Sequence, residues 1–312
     1  MRLQASRLQY RSHKSRASHM GPDERPALSY SVAMPELPEV ETVARGLSKV
    51  WEGRRFASVV CHRAGLRIPF PADMARRLTG RRVDSVGRRA KYLVTRLDGG
   101  LVMLGHLGMS GRMVISGLRN TPPGRHDHVE FITEDGVLVT LTDPRRFGLL
   151  TLCDAAEMDS HPLLKDMGPE PLEPGFDAGV LAAALMGKAT PIKSALLDQT
   201  LVAGLGNIYV CEALFRAGIS PQREAGSLKL GEIAPLVTAI KNVLQDAIAA
   251  GGSSLKDHVR PDGELGYFQH EFKVYGRAGQ RCPDCPGAPR CPGIQRIVQA
   301  GRSTFYCAER QM

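Results

Sequence analysis

Met34-Pro-Glu-Leu-Pro-Glu-Val-Glu41 reads as a translation start, yet it stands 33 residues after Met1. If Met34 is the initiator, its removal leaves Pro35 with a free secondary amine beside the Glu36 carboxyl. An uncharged amine next to an acid is a nucleophile with a proton-transfer partner, suited to attack a sugar carbon through an iminium. An α-amine needs little tuning for this, since its reference pKa of roughly 7.7–8.0 leaves a neutral fraction near neutral pH. If Pro35 stays internal, its nitrogen is an amide and the pair is only a turn before a helix. Val40, Val43, Ala44, Leu47 and Val50 recur at helical spacing, which predicts an amphipathic helix over 39–51.

Outward from that helix, residues 54–153 are short β-branched runs broken by Gly, Asp-Gly and Pro. Phe56–Cys61, Val83–Val86, Tyr92–Leu97, Leu101–Leu104, Val129–Thr133 and Val137–Leu141 are predicted strands. Asp98-Gly99-Gly100 and Glu134-Asp135-Gly136 have hairpin-turn composition. This is a β-sandwich or barrel with one leading helix. Four prolines and no period make 161–177 a linker. Helical patterns follow at 178–186, 191–199, 207–217, 227–232 and 234–250, then a Gly-rich stretch over 251–267 and a cysteine-bearing hairpin. Asn207, at the mouth of its helix, reads as an N-cap. The expected class is α+β, with an extension over 1–33, a sandwich domain over 34–160, a helical domain over 178–270 and a hairpin over 271–312.

The chain carries 41 Lys+Arg against 32 Asp+Glu, a net charge of +9. Residues 1–33 hold six basic and two acidic side chains, so +5 remains on 34–312 and the body itself favours a polyanionic partner. No apolar run approaches the roughly 20 residues that span a bilayer, so no membrane partner is expected. The Arg- and Ser-rich first 33 residues read as a disordered tail, a start assigned too far upstream, or a transit peptide. Four of seven cysteines (Cys282, Cys285, Cys291, Cys307) crowd the last 31 residues. In a reducing compartment such a cluster points to metal rather than disulfides.

Seven segments resemble, in order, the bacterial formamidopyrimidine-DNA glycosylases. They are Pro35–Glu41, Arg89-Ala-Lys-Tyr92, His106-Leu-Gly-Met-Ser-Gly111, His126-Asp-His128, Asp143-Pro-Arg-Arg-Phe-Gly148, Gly204-Leu-Gly-Asn-Ile-Tyr209 and Gly301-Arg-Ser-Thr-Phe-Tyr-Cys307. The sister endonuclease VIII family typically has Gly where Leu37 stands, which favours the purine-directed branch. The resemblance implies a bifunctional glycosylase and abasic-site lyase of base-excision repair, acting as a monomer on double-stranded DNA that contains oxidised purines. The expected setting is the bacterial cytoplasm, with nucleoid association during action.

By that resemblance Pro35 attacks C1′ and Glu36 is the general acid/base. Lys91, in a cationic run on a predicted strand, serves β-elimination, and Arg302 serves δ-elimination. Met109, Arg145 and Phe147 would fill the hole left by an extruded base. His106, His126, Lys188 and Asn207 would contact DNA, Asn207 from a helix–two-turns–helix element. The stretch 251–267 resembles the lesion-recognition loop. The family's structural zinc site has two C-x2-C pairs. Here Cys282-Pro-Asp-Cys285 and Cys307 match, but Arg310 stands at the fourth position, and the extra Cys291 is the expected replacement. Two rival readings stay open. One is a damage-binding module whose Pro35 is blocked by the extension; the other is an endonuclease VIII-like enzyme for oxidised pyrimidines.

Overall fold

A computed structural model describes residues 34–117, 122–253, 266–287 and 289–312. The extension over 1–33 and most of the 251–267 stretch lie outside the described residues. Helix α1 runs Leu37–Trp51, two residues earlier than the periodicity predicts. Pro38 is tolerated in its first turn, where an N–H would have no helical partner anyway.

Strand β1 (Phe56–Cys61) follows, then a short α2 (Met74–Leu78), then β2 (Val83–Arg89), β3 (Tyr92–Leu97) and β4 (Leu101–His106). The half continues with β5 (Arg112–Gly117), β6 (Asp127–Thr133), β7 (Val137–Thr142) and β8 (Leu149–Asp154). They form two antiparallel four-stranded sheets, ordered β1-β6-β7-β5 and β2-β3-β4-β8. Phe56, Phe131 and Leu141 of one sheet meet Leu93, Leu97 and Met103 of the other in a single core, so the arrangement is a sandwich. Val40, Val43, Ala44, Leu47 and Trp51 of α1 enter the same core, with the Trp51 ring 5.2 Å from both Phe56 and Phe131. The strands β5 and β8 were not among the predicted ones.

The second half contains α3 (Ala178–Leu185), α4 (Ile192–Leu197), α5 (Asn207–Ala217) and α6 (Leu230–Ala249), then a hairpin of β9 (Ile294–Gln299) and β10 (Arg302–Cys307). The two predicted helices 227–232 and 234–250 are one helix, α6, with Pro235 inside it. Proline costs a ladder hydrogen bond and about 3 kcal/mol in a helix interior. Burial of Ile233, Leu236, Val237 and Ile240 on one face outweighs that, at about 1.5–3 kcal/mol per fully buried side chain. Among the described residues no helix is long and apolar enough to cross a membrane.

Leu37 joins the helical core while the rest of the apolar face of α1 packs in the sandwich core, so α1 belongs to both halves. The intervening 161–177 segment is also tied down. Glu170 pairs with Arg88 at 2.5 Å and Arg89 at 2.9 Å, and Arg89 also donates to the Met167 and Gly168 carbonyls.

Candidate active site

The two halves meet at a carboxylate. Glu36 is 3% exposed, and its side chain accepts from the Ile208 N–H at 2.8 Å and the Tyr209 N–H at 3.3 Å. These are free donors in the first turn of α5, where the helix dipole favours negative charge. Asn207 is therefore not the N-cap that its position suggests. Gly206 occupies the cap position, and the capping oxygens come from Glu36, far away in sequence. A Cβ on Gly206 would lie 2.3 Å from the Glu36 carboxyl carbon, so only glycine admits the carboxylate. Gly204, at φ +83°, accepts from the Leu37 N–H at 3.1 Å and is braced by Gln199 Oε1 at 2.9 Å.

One turn along α1, Glu39 completes the joint. It accepts from the Glu36 N–H at 3.0 Å, the Tyr209 hydroxyl at 2.5 Å and the Ser253 N–H and hydroxyl, each at 2.8 Å. Burial pushes the Glu36 carboxyl up, with neighbouring Glu39 adding to the rise. Lys91 and the two helix N–H groups oppose it, and the balance settles at about 7.

Lys91 sits in the two-residue turn between β2 and β3 rather than on a strand. Ala90 before it has φ +53°, a conformation that L-residues adopt at a cost. The Glu170 carboxylate accepts the Ala90 N–H at 2.6 Å and holds that turn. Lys91 is 8% exposed; burial lowers its pKa, Arg302 lowers it further, and Glu36 and Glu39 pull it back. Arg302 emerges, exposed, from the β9–β10 turn, where Ala300 and Gly301 both have positive φ.

A cavity of about 490 Å³ is lined by Glu36, Lys91, His106, Met109, Asn207 and Arg302, with Met34 at its wall beside the buried Pro35. His106 Nδ1 accepts the Gly108 N–H at 2.9 Å, so the ring proton belongs on Nε2. Burial, with Lys91 and Arg67, holds this imidazole down at about 4, so it is neutral at physiological pH. Asn207 donates to the Ser303 carbonyl at 2.9 Å, and its buried Oδ1 has no partner among the described residues.

Arg145 and Phe147 do not line the cavity. They stand exposed on the Asp143–Gly148 turn, the guanidinium 4.9 Å from the Phe147 ring centre. His126 lies beside that turn, its carbonyl accepting the Asp143 N–H at 3.0 Å. Lys188 is in the turn after α3 and does not line the cavity. His128, the other half of the paired histidines, is buried with Nε2 2.8 Å from the Asp143 carbonyl, a structural position.

Sequence reasoning missed Tyr275, which lines the cavity and meets Phe305 edge-on with ring centres 5.1 Å apart, and Lys193, wholly buried and reaching the Ser303 carbonyl at 3.4 Å. Neither sits in a motif, and only the fold brings them here.

Below the hairpin the sulfurs of Cys282, Cys285, Cys291 and Cys307 all lie within 4.8 Å of one another. The Cys285 and Cys307 sulfurs are 3.6 Å apart, and those of Cys291 and Cys307 3.5 Å. Metal–sulfur bonds of about 2.3 Å in a tetrahedron require sulfurs about 3.8 Å apart, so the set fits a four-thiolate ion. Arg310 is diverted to other work: its Nε–H donates to the Phe215 carbonyl at 3.1 Å, its guanidinium covers the Phe215 ring, and it lies 3.3 Å from Asp284.

Two family models match this chain, the formamidopyrimidine-DNA glycosylase N-terminal domain over residues 34–150 and the corresponding H2TH domain over 167–259. Formamidopyrimidine-DNA glycosylases of Acidiphilium cryptum and Rhodospirillum rubrum are each 57% identical, the alignments covering 89% of this chain and 100% of theirs. A solved structure of a Lactococcus lactis FPG mutant with Fapy-dG-containing DNA matches with TM-score 0.80 and 36% identity, over 89% of this chain and 100% of that one. The MutM (FPG) protein of Thermus thermophilus matches with TM-score 0.77 and 40% identity, over 89% and 98%.

The raised Glu36 pKa carries a stability signature. Between about pH 4.5 and 7 the unfolded chain has released a proton that the native carboxyl still holds, so this group makes stability fall as pH rises. Glu36→Gln removes the effect. In urea unfolding at a series of pH values, variant minus native stability should climb across that window and level off above about 7. A difference independent of pH contradicts the assignment.

Proposed function

The chain belongs to the formamidopyrimidine-DNA glycosylase family, and on that footing we propose that the cavity between its two halves is where a damaged nucleotide is held and cut. The protein is a DNA glycosylase and abasic-site lyase that removes oxidised purines in base-excision repair. The observation that carries the site assignment is the Glu36 carboxyl. It is buried beside Pro35, poised at about 7, and opens on the same cavity as Lys91 and Arg302.

In this reading the chain begins at Met34, where the family match also begins, and loses that methionine to free the Pro35 amine. The Pro35 nitrogen attacks C1′, and the bond to the oxidised base breaks as the base departs with the electron pair and takes up the proton that the attacking amine gives up. Glu36, protonated for a useful fraction of molecules near neutral pH, delivers its proton to the ring oxygen, and the sugar opens as a C1′ iminium with Pro35. Loss of a C2′ proton then expels the 3′ phosphate. Lys91, whose ammonium is weakened by burial, serves this β-elimination. Arg302 serves the second elimination, which expels the 5′ phosphate and leaves a one-nucleotide gap. His106, neutral with a proton on Nε2, His126, Lys188 and Asn207 contact the DNA. Met109, Arg145 and Phe147 enter the space vacated by the base. Phosphate oxygens are met by cations, so affinity falls steeply with salt. The expected domains are a sandwich over 34–160, a linker over 161–177, a helical unit over 178–270 and a hairpin over 271–312. The enzyme works in the cytoplasm on nucleoid DNA.

Cys282, Cys285, Cys291 and Cys307 hold one structural Zn²⁺, which ties the hairpin that carries Arg302.

Borohydride trapping on an 8-oxoguanine duplex, with chains begun at Met1 and at Met34, tests the nucleophile. A cross-link mapping to Pro35 in the Met34 chain alone is expected. Tight duplex binding without a cross-link from either chain would leave a damage-binding module, and preference for thymine glycol would move the enzyme to the pyrimidine branch. For the metal, Cys291→Ser should lower zinc content below one ion per chain, and chelation should raise amide exchange in the hairpin and weaken DNA binding. A zinc-free protein with normal binding contradicts that site.

A further inference from the structure

Two turns at one end of the β4–β8 strand pair are joined side by side. The turn after β4 carries Met109, and the turn before β8 carries Arg145 and Phe147. They are held together by a buried pair. Ser110 is 4% exposed and Asp143 not at all, and the Ser110 hydroxyl donates to Asp143 Oδ1 at 2.5 Å. The same hydroxyl oxygen accepts the Arg145 N–H at 3.1 Å, and Asp143 Oδ2 accepts the Gly148 N–H at 2.8 Å. The carboxylate is thus met by neutral donors, and each bond fixes backbone next to a side chain assigned to the base-extrusion space.

Asp143 also collects its flanks. Its N–H donates to the His126 carbonyl at 3.0 Å, and its own carbonyl accepts His128 Nε2 at 2.8 Å and the Arg146 N–H at 3.2 Å. Arg146, at φ +59°, sits in a conformation that needs such restraint. Contact between the turns is close: a Cβ on Gly108 would be 2.4 Å from the Phe147 carbonyl carbon.

We propose that Ser110 and Asp143 are positioning residues for base extrusion, their buried hydrogen bond fixing Met109, Arg145 and Phe147 relative to one another as one rigid wedge. This rests on the wedge role given to those three above. Unstacking a base costs a few kcal/mol, and apolar side chains compensate only if they arrive in the gap together. Without the clamp each turn keeps its residues, but Met109 and Phe147 sample separations that fill the gap poorly.

The test uses the chain begun at Met34 in two assays. One is the stopped-flow rise in fluorescence of 2-aminopurine placed beside 8-oxoguanine in a paired duplex, with base release measured in parallel. The other is borohydride trapping on a preformed abasic site, which has no base to extrude. Ser110→Ala deletes a single oxygen, which takes the donor from Asp143 Oδ1 and the acceptor from the Arg145 N–H and leaves the Gly148 N–H on Oδ2. It should slow extrusion and base release about tenfold, the factor expected when a buried group loses its partner, while trapping stays within about twofold of native. Asp143→Asn should act in the same direction, and if that variant does not fold, Ser110→Ala decides. Native extrusion rates in Ser110→Ala overturn the proposal, as does an equal fall in both assays, which marks a merely structural pair. Met109→Ala separates the layers. If it too extrudes at the native rate, the wedge assignment fails and carries the clamp with it; if it is slow while Ser110→Ala is normal, only the clamp fails.

Discussion

A single carboxylate set on the start of a helix organises this molecule. Glu36 leaves the sandwich half at the first turn of α1 and satisfies two N–H groups of α5 in the helical half. A buried helix end without such partners would be costly, and a buried carboxylate without donors more so, so each group removes the other's penalty. The joint dictates its surroundings. Gly206 must lack a side chain, Gly204 must take positive φ, and Leu37 must pack with the helical core rather than with the rest of its own helix. It also leaves the carboxyl facing the cavity in an environment where burial outweighs the favourable N–H contacts, which is why the acid settles near 7 rather than low.

Around that joint, short turns carry the chemistry while the sheets hold them still. Lys91 is aimed by a strained Ala90 turn that Glu170 restrains, and Arg302 by a tight turn with two positive-φ residues. Met109, Arg145 and Phe147 ride on turns tied through Ser110 and Asp143. Loops on a rigid scaffold are where functional groups concentrate, and here each loop is restrained by buried polar bonds reaching across the chain.

Local physics explains what could be read in advance. The predicted strands at Phe56–Cys61 and Tyr92–Leu97 and the helix at 207–217 match the observed bounds, because alternation, helical period and the Gly218 stop were all present locally. Arg112–Gly117 and Leu149–Asp154 were not predicted; β5 is built by pairing with β7, and β8 with β4. Asn207 looked like a cap because Asn caps well; nothing local announced that Glu36 would supply the oxygens instead. The predicted gap between 227–232 and 234–250 closes because the burial that carries one helix through Pro235 is tertiary. Tyr275 and Lys193 reach the site only through folding. Cys291 was legible, since a spare thiol in a short insertion could replace the ligand missing at Arg310, and the four sulfurs do gather. The second role of Arg310, stacked on Phe215, was not.

The most direct check of the account is the ionisation of Glu36 itself. Carbon-13 NMR of the side-chain carboxyl, assigned through Glu36→Gln in the chain begun at Met34, should give a titration midpoint near 7 that falls when Lys91 is kept and Gly206→Ala opens the joint to water. A midpoint near the ordinary 4.5 in the native protein would mean that the carboxyl is solvated, that it does not bury itself on α5, and that the joint is not what holds the site.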